Sequence, residues 1–284
     1  MKTCHNLFFA LLLLLVTGIN NACDNIEPPY MTHQEPVNDN DETARKLLLE
    51  VFTGHRCPNC PEGSKQARIL QDFYQDQLVV ITIHAGWYAN STAEPFNYDF
   101  TTSEGDAINK HFGIEFYPNG MVNRQNFEGS KALAPGSWGS ALHVLADMEP
   151  GFSINLSTSE AQSANTFNLD VNLRGLDTPA DNGEYLLVAM LTEDQIIRPQ
   201  RTNDPEYPDG YIPDYEHNHV LRKGITHVWG ESMGNEDLWG TDPVSKSYSF
   251  SLDDDWNAEN CNVVVYVMNN QMEVKQVESL PLIP

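Results

Sequence analysis

Cys57-Pro58-Asn59-Cys60 holds two cysteines separated by two residues, the spacing in this sequence that most directly implies chemistry. Side chains that close can bridge. At a helix start the unpaired backbone amides would also stabilise a thiolate on the first of them. Cys57 is then the candidate nucleophile and Cys60 the resolving thiol, with attack running through a mixed disulfide that Cys60 releases. His55 and Arg56 place potential positive charge beside Cys57, which would lower its pKa further. A zinc knuckle uses the same spacing but wants a second such pair, which the sequence lacks. The alternative for the pair is a structural disulfide, although closing so short a loop contributes only about 2 kcal/mol.

The flanking segments supply elements that would hold the pair. Arg45 to Thr53 is a nearly continuous apolar run of strand length, and Gly54-His55-Arg56 breaks it. Pro58 just inside the next segment, with Ala67, Ile69, Leu70, Phe73 and Tyr74 at helical spacing, predicts a helix from Pro58 to Tyr74. Leu78 to His84 is a second buried strand, completing a strand, helix, strand unit of the length of a right-handed parallel crossover. Ala85 to Ser103 reads as an insertion over the surface, in which Trp87, Tyr88 and Phe96 are candidates to line a substrate groove. Gly105 to Phe112 predicts a short helix, Pro118 precedes a strand-like run, and Ser137 to Met148 predicts a last helix.

After Pro150-Gly151 the pattern changes to short alternating strands separated by Gly, Asp, Asn and Pro, among them Thr166 to Leu173, Tyr185 to Leu191 and Asn262 to Met268. That pattern predicts an all-β sandwich, immunoglobulin-like, over 151–284. His217 and His219, with His227, are weak metal candidates, and core or loop histidines are the expected outcome. Asp204, Glu206, Asp209 and Asp214, and separately Asp253-Asp254-Asp255, match no calcium loop and read as solvated acidic turns. Cys261, before an apolar strand, reads as a buried small side chain. No metal or dissociable cofactor is expected.

Residues 1–22 begin with Lys2 and continue through an apolar run from Leu7 to Val16, the layout of a secretory signal too short for the about 20 apolar residues that a spanning helix needs. Cys23 after Ala22 is the expected lipidation site, and residues 23–44 read as a flexible acidic tether. The chain carries 16 basic and 40 acidic residues, net −24, and losing Lys2 with the leader takes it to −25. Such a balance argues against nucleic acid as a partner and against electrostatic adhesion to anionic lipid, leaving the N-terminal acyl anchor as the membrane attachment. An exported setting is oxidising, so the 57–60 pair can persist as a disulfide.

Residues 45–150, with Cys57-Pro58-Asn59-Cys60 and Gly113-Ile114-Glu115-Phe116-Tyr117-Pro118, resemble a thioredoxin-fold domain. The resemblance implies a cis-proline at Pro118 facing the dithiol, where it would bind the substrate backbone. Arg56 stands in place of that fold's usual tryptophan, and Pro58-Asn59 in place of Gly-Pro. Val51 occupies the position of its buried carboxylate, so Glu50, one residue earlier, is the candidate proton acceptor. More narrowly, Glu50 to Pro61, together with Tyr215-Glu216-His217-Asn218-His219-Val220-Leu221-Arg222, is similar to the twenty-eight-kilodalton outer membrane protein family of Bacteroidetes. That likeness implies an outer membrane lipoprotein. Two functions follow as expectations: thiol-disulfide exchange on thiols or disulfides of exported proteins, or a surface binding or adhesion lipoprotein in which the disulfide is purely structural.

Overall fold

The computed structural model describes residues 44–176, 184–234 and 238–283, all within one compact unit. The expected signal segment, Cys23 and the tether up to residue 43 lie outside these described residues.

Strand β1 (Leu47–Thr53) is buried along its whole length, which its nearly continuous apolar run requires. It pairs in parallel with β2 (Leu78–His84), in register from Leu47 opposite Leu78 to Thr53 opposite His84. The crossover between them is α1 (Cys60–Tyr74), which buries Gly63, Ala67, Leu70 and Tyr74, a stripe at three- and four-residue spacing. That stripe packs on Leu49, Val51 and Val80 on one face of the sheet. The helix begins at Cys60 and not at Pro58, because Cys57 to Cys60 form a preceding turn closed by the Cys60 amide donating to the Cys57 carbonyl at 3.3 Å. Helix α2 (Ser103–His111) starts where Thr102 Oγ1 accepts from the Gly105 amide at 3.0 Å. Strand β3 (Asn119–Val122) runs antiparallel to β1, and α3 (Pro135–Ala146) buries Trp138, whose indole donates to the Leu133 carbonyl at 2.9 Å.

Beyond residue 150 the chain is rich in β structure. It forms β4 (Phe152–Glu160), β5 (Thr166–Gly175), β6 (Tyr185–Glu193), β7 (Ile196–Arg201), β8 (Tyr211–His217), β9 (Val220–Gly224), β10 (Glu231–Ser232), β11 (Val244–Ser251), β12 (Cys261–Asn269) and β13 (Val274–Pro281). The large sheet has the order β13-β12-β6-β9-β2-β1-β3, with β10 alongside β6. A three-stranded sheet, β11-β5-β4, shares a core with β6 and β12 through Phe167, Leu169, Val171, Leu187, Val263 and Val265. The fold is mixed α/β with several sheets and a β-rich C-terminal part. Where the sequence pattern places a boundary at residue 150, the hydrogen-bonded ladder crosses it: β9 lies between β2 and β6. The alternation of polar and apolar residues reports which face of a strand is buried and carries no information about its neighbour.

Glu50 is placed by this sheet on the face away from α1. Its neighbours in β1, Leu49 and Val51, face the helix, whereas Leu48 and Phe52 share the opposite core with Tyr266 and Met268. There Glu50 accepts two hydrogen bonds from Arg124, at 2.8 Å from Nε and 2.6 Å from Nη2, and Arg124 also donates to the Tyr266 hydroxyl at 2.8 Å. Both side chains are fully buried. Burial alone would lower the Arg124 pKa, but Glu50 and Tyr266 reverse that and raise it, so the guanidinium stays charged. A fork of this kind ties β1 to β12 across the sheet.

Removing one partner strands a buried charge, so Arg124→Met is expected to cost about 3–5 kcal/mol by urea denaturation. The double variant Arg124→Met, Glu50→Leu is expected to lose less than Arg124→Met alone.

Candidate functional site

Cys57 and Cys60 are joined as a disulfide with their Cα atoms 5.4 Å apart, at the mouth of α1. Gly54 sets the approach: a Cβ there would lie 2.5 Å from the Tyr88 backbone carbon, so the loop after β1 can touch segment 86–89 only with glycine. The Arg56 amide donates to the Tyr88 carbonyl at 3.1 Å across that contact. One turn into α1, on the side that carries Cys60, a Cβ on Gly63 would lie 2.6 Å from Pro118 Cβ. The Tyr117–Pro118 peptide is cis. The structure thus brings Cys57, Cys60 and Pro118 to one end of α1, and it keeps Glu50 away from them. Glu50 alternates to the other side of the sheet and is already engaged by Arg124.

The disulfide is covered. Both cysteines are 1% exposed, and the β7–β8 hairpin lies across their loop. Gln200 Nε2 donates to the Cys57 carbonyl at 2.9 Å and to the Arg201 carbonyl at 3.0 Å. The Arg201 amide donates to the His55 carbonyl at 2.8 Å, and Asn203 Nδ2 donates to Asn59 Oδ1 at 2.8 Å. Gln200 is more than 140 residues from the pair in sequence and follows no motif, so nothing local announces it.

Positive charge beside Cys57 is smaller than the residue types suggest. His55 is 1% exposed, and burial, together with the nearby Arg56 charge, lowers its pKa to about 4, so it is neutral near pH 7. The Arg56 guanidinium turns outward onto the Trp87 ring, 4.5 Å from its centroid, and donates to the Trp87 and Asn90 carbonyls. Trp87 is 65% exposed and Tyr88 half-buried beside it, while Phe96 is buried against His55.

His55 belongs to a buried cluster with His84 and His217, arranged around Phe100 at ring separations of 5.4, 4.4 and 4.6 Å. His84 and His217 are 5.4 Å apart. Burial lowers the His84 pKa well below the ordinary value and takes that of His217 to about 3. His217 Nε2 therefore donates its proton to the Arg198 carbonyl, 3.3 Å away. His219 turns elsewhere, between Asp194 and Gln71 at 3.1 and 3.0 Å, and His227 is exposed. No group of three metal-binding side chains occurs among the described residues. The acidic residues at 204, 206, 209, 214 and 253–255 are exposed in turns and on an edge strand, and Cys261 is a free, buried thiol whose pKa burial raises to about 12.

A family model described as outer membrane protein Omp28 matches residues 105–282. A search of curated proteins found no match. Among solved structures, HBP35 of Porphyromonas gingivalis superposes over 84% of this chain and 76% of its own, with 17% identity and a TM-score of 0.62, a likeness of fold. A domain of the outer membrane lipoprotein Omp28 from the same organism aligns with 47% of this chain and 88% of its own, at 17% identity and a TM-score of 0.32. Protein AGR_C_4864 from Agrobacterium tumefaciens aligns with 84% and 93% of the two chains, at 13% identity and a TM-score of 0.45. Among the described residues no helix is long and apolar enough to cross a membrane.

The histidine cluster predicts the acid response of the fold. Each ring has a folded pKa below the unfolded value of about 6.5, so the unfolded chain binds more protons once the pH falls below that value. Stability is therefore expected to drop from about pH 6.5 towards pH 4, by up to about 1.4 kcal/mol per pH unit for each histidine. Urea midpoints at pH 7 and pH 5 measure it, and His84→Phe, which keeps the stack on Phe100, should flatten the dependence.

Proposed function

The chain belongs to the outer membrane protein Omp28 family, and on that premise we propose that it is an outer membrane lipoprotein whose Cys57–Cys60 pair exchanges disulfides with exported proteins. The observation that carries this reading is the placement of the pair: a disulfide at the mouth of α1, with the cis Tyr117–Pro118 peptide on the adjoining turn. A thioredoxin-like arrangement of β1, α1, β2 and β3 holds it there, and the β-rich remainder, with a sandwich-like packing of β4-β5-β11 on β6 and β12, acts as scaffold and cover.

In the reduced protein the Cys57 thiolate attacks a substrate disulfide, and one substrate sulfur leaves as a thiolate. Cys60 then attacks Cys57 in the mixed disulfide and releases the second substrate sulfur. Two electrons pass to the substrate and the 57–60 bond closes; the reverse sequence oxidises a substrate dithiol. With Glu50 held by Arg124, the Cys60 proton goes to solvent or to the leaving thiolate. Exchange requires the β7–β8 hairpin to lift, because a sulfur at 1% exposure admits no in-line attack.

That same cover favours a second reading, a surface binding lipoprotein in which the disulfide is a staple and never turns over. Insulin reduction by the purified full-length protein separates the two. Under the exchange reading the wild type exceeds Cys57→Ser, and Gln200→Ala, which frees the hairpin from the Cys57 carbonyl, raises the rate several-fold. A wild-type rate no higher than that of Cys57→Ser assigns the disulfide to structure.

A further inference from the structure

Beside Gln200 a cavity of about 320 Å³ opens between α1, the ends of β1 and β2, and the end of β8. Its floor is apolar, from Val51, Val80 and Ala67, and Arg68 stands on its α1 wall. His84 lines it, is 2% exposed, and has no partner for either ring nitrogen. Buried polar atoms are nearly always bonded, so a ring left open on both nitrogens beside a cavity marks a place for something else.

The charges lining the cavity set the sign of that occupant. Glu216 also lines it and accepts from Asn218 Nδ2 at 2.9 Å, its one carboxylate standing against the two cations Lys65 and Arg68, and His219 is committed to Asp194 and Gln71. Lys65, at the same wall, pairs loosely with Glu62 at 4.0 Å, whereas Arg68 makes no ion pair among the described residues. In a chain with 16 basic residues against 40 acidic ones, a guanidinium with no carboxylate partner among the described residues, beside the Tyr215 ring at a cavity of apolar floor and polar walls, is not a product of average composition. Guanidinium favours planar, bidentate carboxylate.

We propose that this cavity binds a small organic hydroxy-carboxylate. Its carboxylate meets Arg68 at the mouth, its hydrocarbon body lies on Val51 and Val80, and its hydroxyl bonds the His84 ring. A cavity of this size holds one aromatic ring with short substituents. The site uses neither cysteine, but Gln200 and Tyr215 to His217 of the β7–β8 hairpin wall it, so it is complete while the hairpin covers the disulfide.

Isothermal titration of the full-length oxidised protein with 4-hydroxyphenylacetate tests this, with phenylacetate and the neutral 4-hydroxyphenylacetamide beside it. Expected are saturable one-to-one binding of the first, at least tenfold weaker binding of the amide, and at least threefold weaker binding of phenylacetate. Arg68→Ala, an exposed helix position whose loss leaves the core intact, should weaken 4-hydroxyphenylacetate tenfold and leave the amide unchanged. Absence of saturable binding, equal affinity for acid and amide, or indifference to Arg68→Ala would each overturn the proposal.

Discussion

Everything distinctive about the disulfide depends on one join in the large sheet, the parallel meeting of β2 with β9. It is short: Thr82 stands opposite Val220, and the Thr82 amide donates to the His219 carbonyl at 2.7 Å. Yet β9 is also paired antiparallel with β6, through Thr192 opposite Leu221 and Glu193 opposite Val220. The strand is therefore a splice between a parallel α/β unit and an antiparallel block. Because β8 ends at His217, two residues before the join, the splice fixes where the β7–β8 hairpin falls, and it falls across residues 54–59.

That placement changes the electrostatics expected of a dithiol at a helix mouth. The amides at the start of α1, which the Asn59 side chain leaves uncapped, remain the main source of positive potential for Cys57, and Glu62 in the first turn opposes it. His55 would add charge only if it were solvated, and the hairpin and Phe96 remove its water. Arg56 spends its hydrogen bonds on segment 87–90. Covering the pair thus blocks approach and keeps His55 dry. Lifting the hairpin would open the approach and one side of His55 together, because the contacts at His55, Asn59 and Cys57 belong to one strand and the residues directly after it, whereas Arg56 is held by segment 87–90.

The α/β unit was legible because its signals are local. Leu47 to Thr53 and Leu78 to His84 are nearly continuous apolar runs, and Ala67, Leu70 and Tyr74 keep helical spacing, so β1, α1 and β2 follow with the starts of β1 and α1 each displaced by two residues. The closeness of Cys57 to Cys60 at the start of α1 is legible for the same reason. The continuity of the sheet beyond residue 150 was not legible, since the partner of β9 depends on tertiary packing that no pattern within Val220–Gly224 encodes. Glu50 was chosen by a one-residue offset from the position of the thioredoxin-fold carboxylate, yet one residue along a strand is a change of face, and only the sheet shows which face carries the helix. Gln200 and His84 were invisible as site residues because their significance lies in what they touch, a carbonyl 143 positions away and an open cavity.

The family match bears on these parts unequally. It spans residues 105–282, beginning inside α2 and so downstream of Cys57 and Cys60. What the matched segment contains is Pro118, Arg124, the β7–β8 hairpin, β9 and the antiparallel block. Membership is thus carried by the cover and the scaffold, and the dithiol enters through residues outside the match. Scaffold and site are nonetheless physically joined: Arg124, within the matched segment, holds Glu50 of β1 in a fully buried pair, and Gln200, also within it, holds the Cys57 carbonyl. The matched segment therefore includes the hairpin that covers the disulfide. Whether that cover hides a staple or a reactive bond depends on residues 54–60, outside the match, together with Gln200 inside it, which is why chemistry at Cys57, and not family membership, is the deciding measurement.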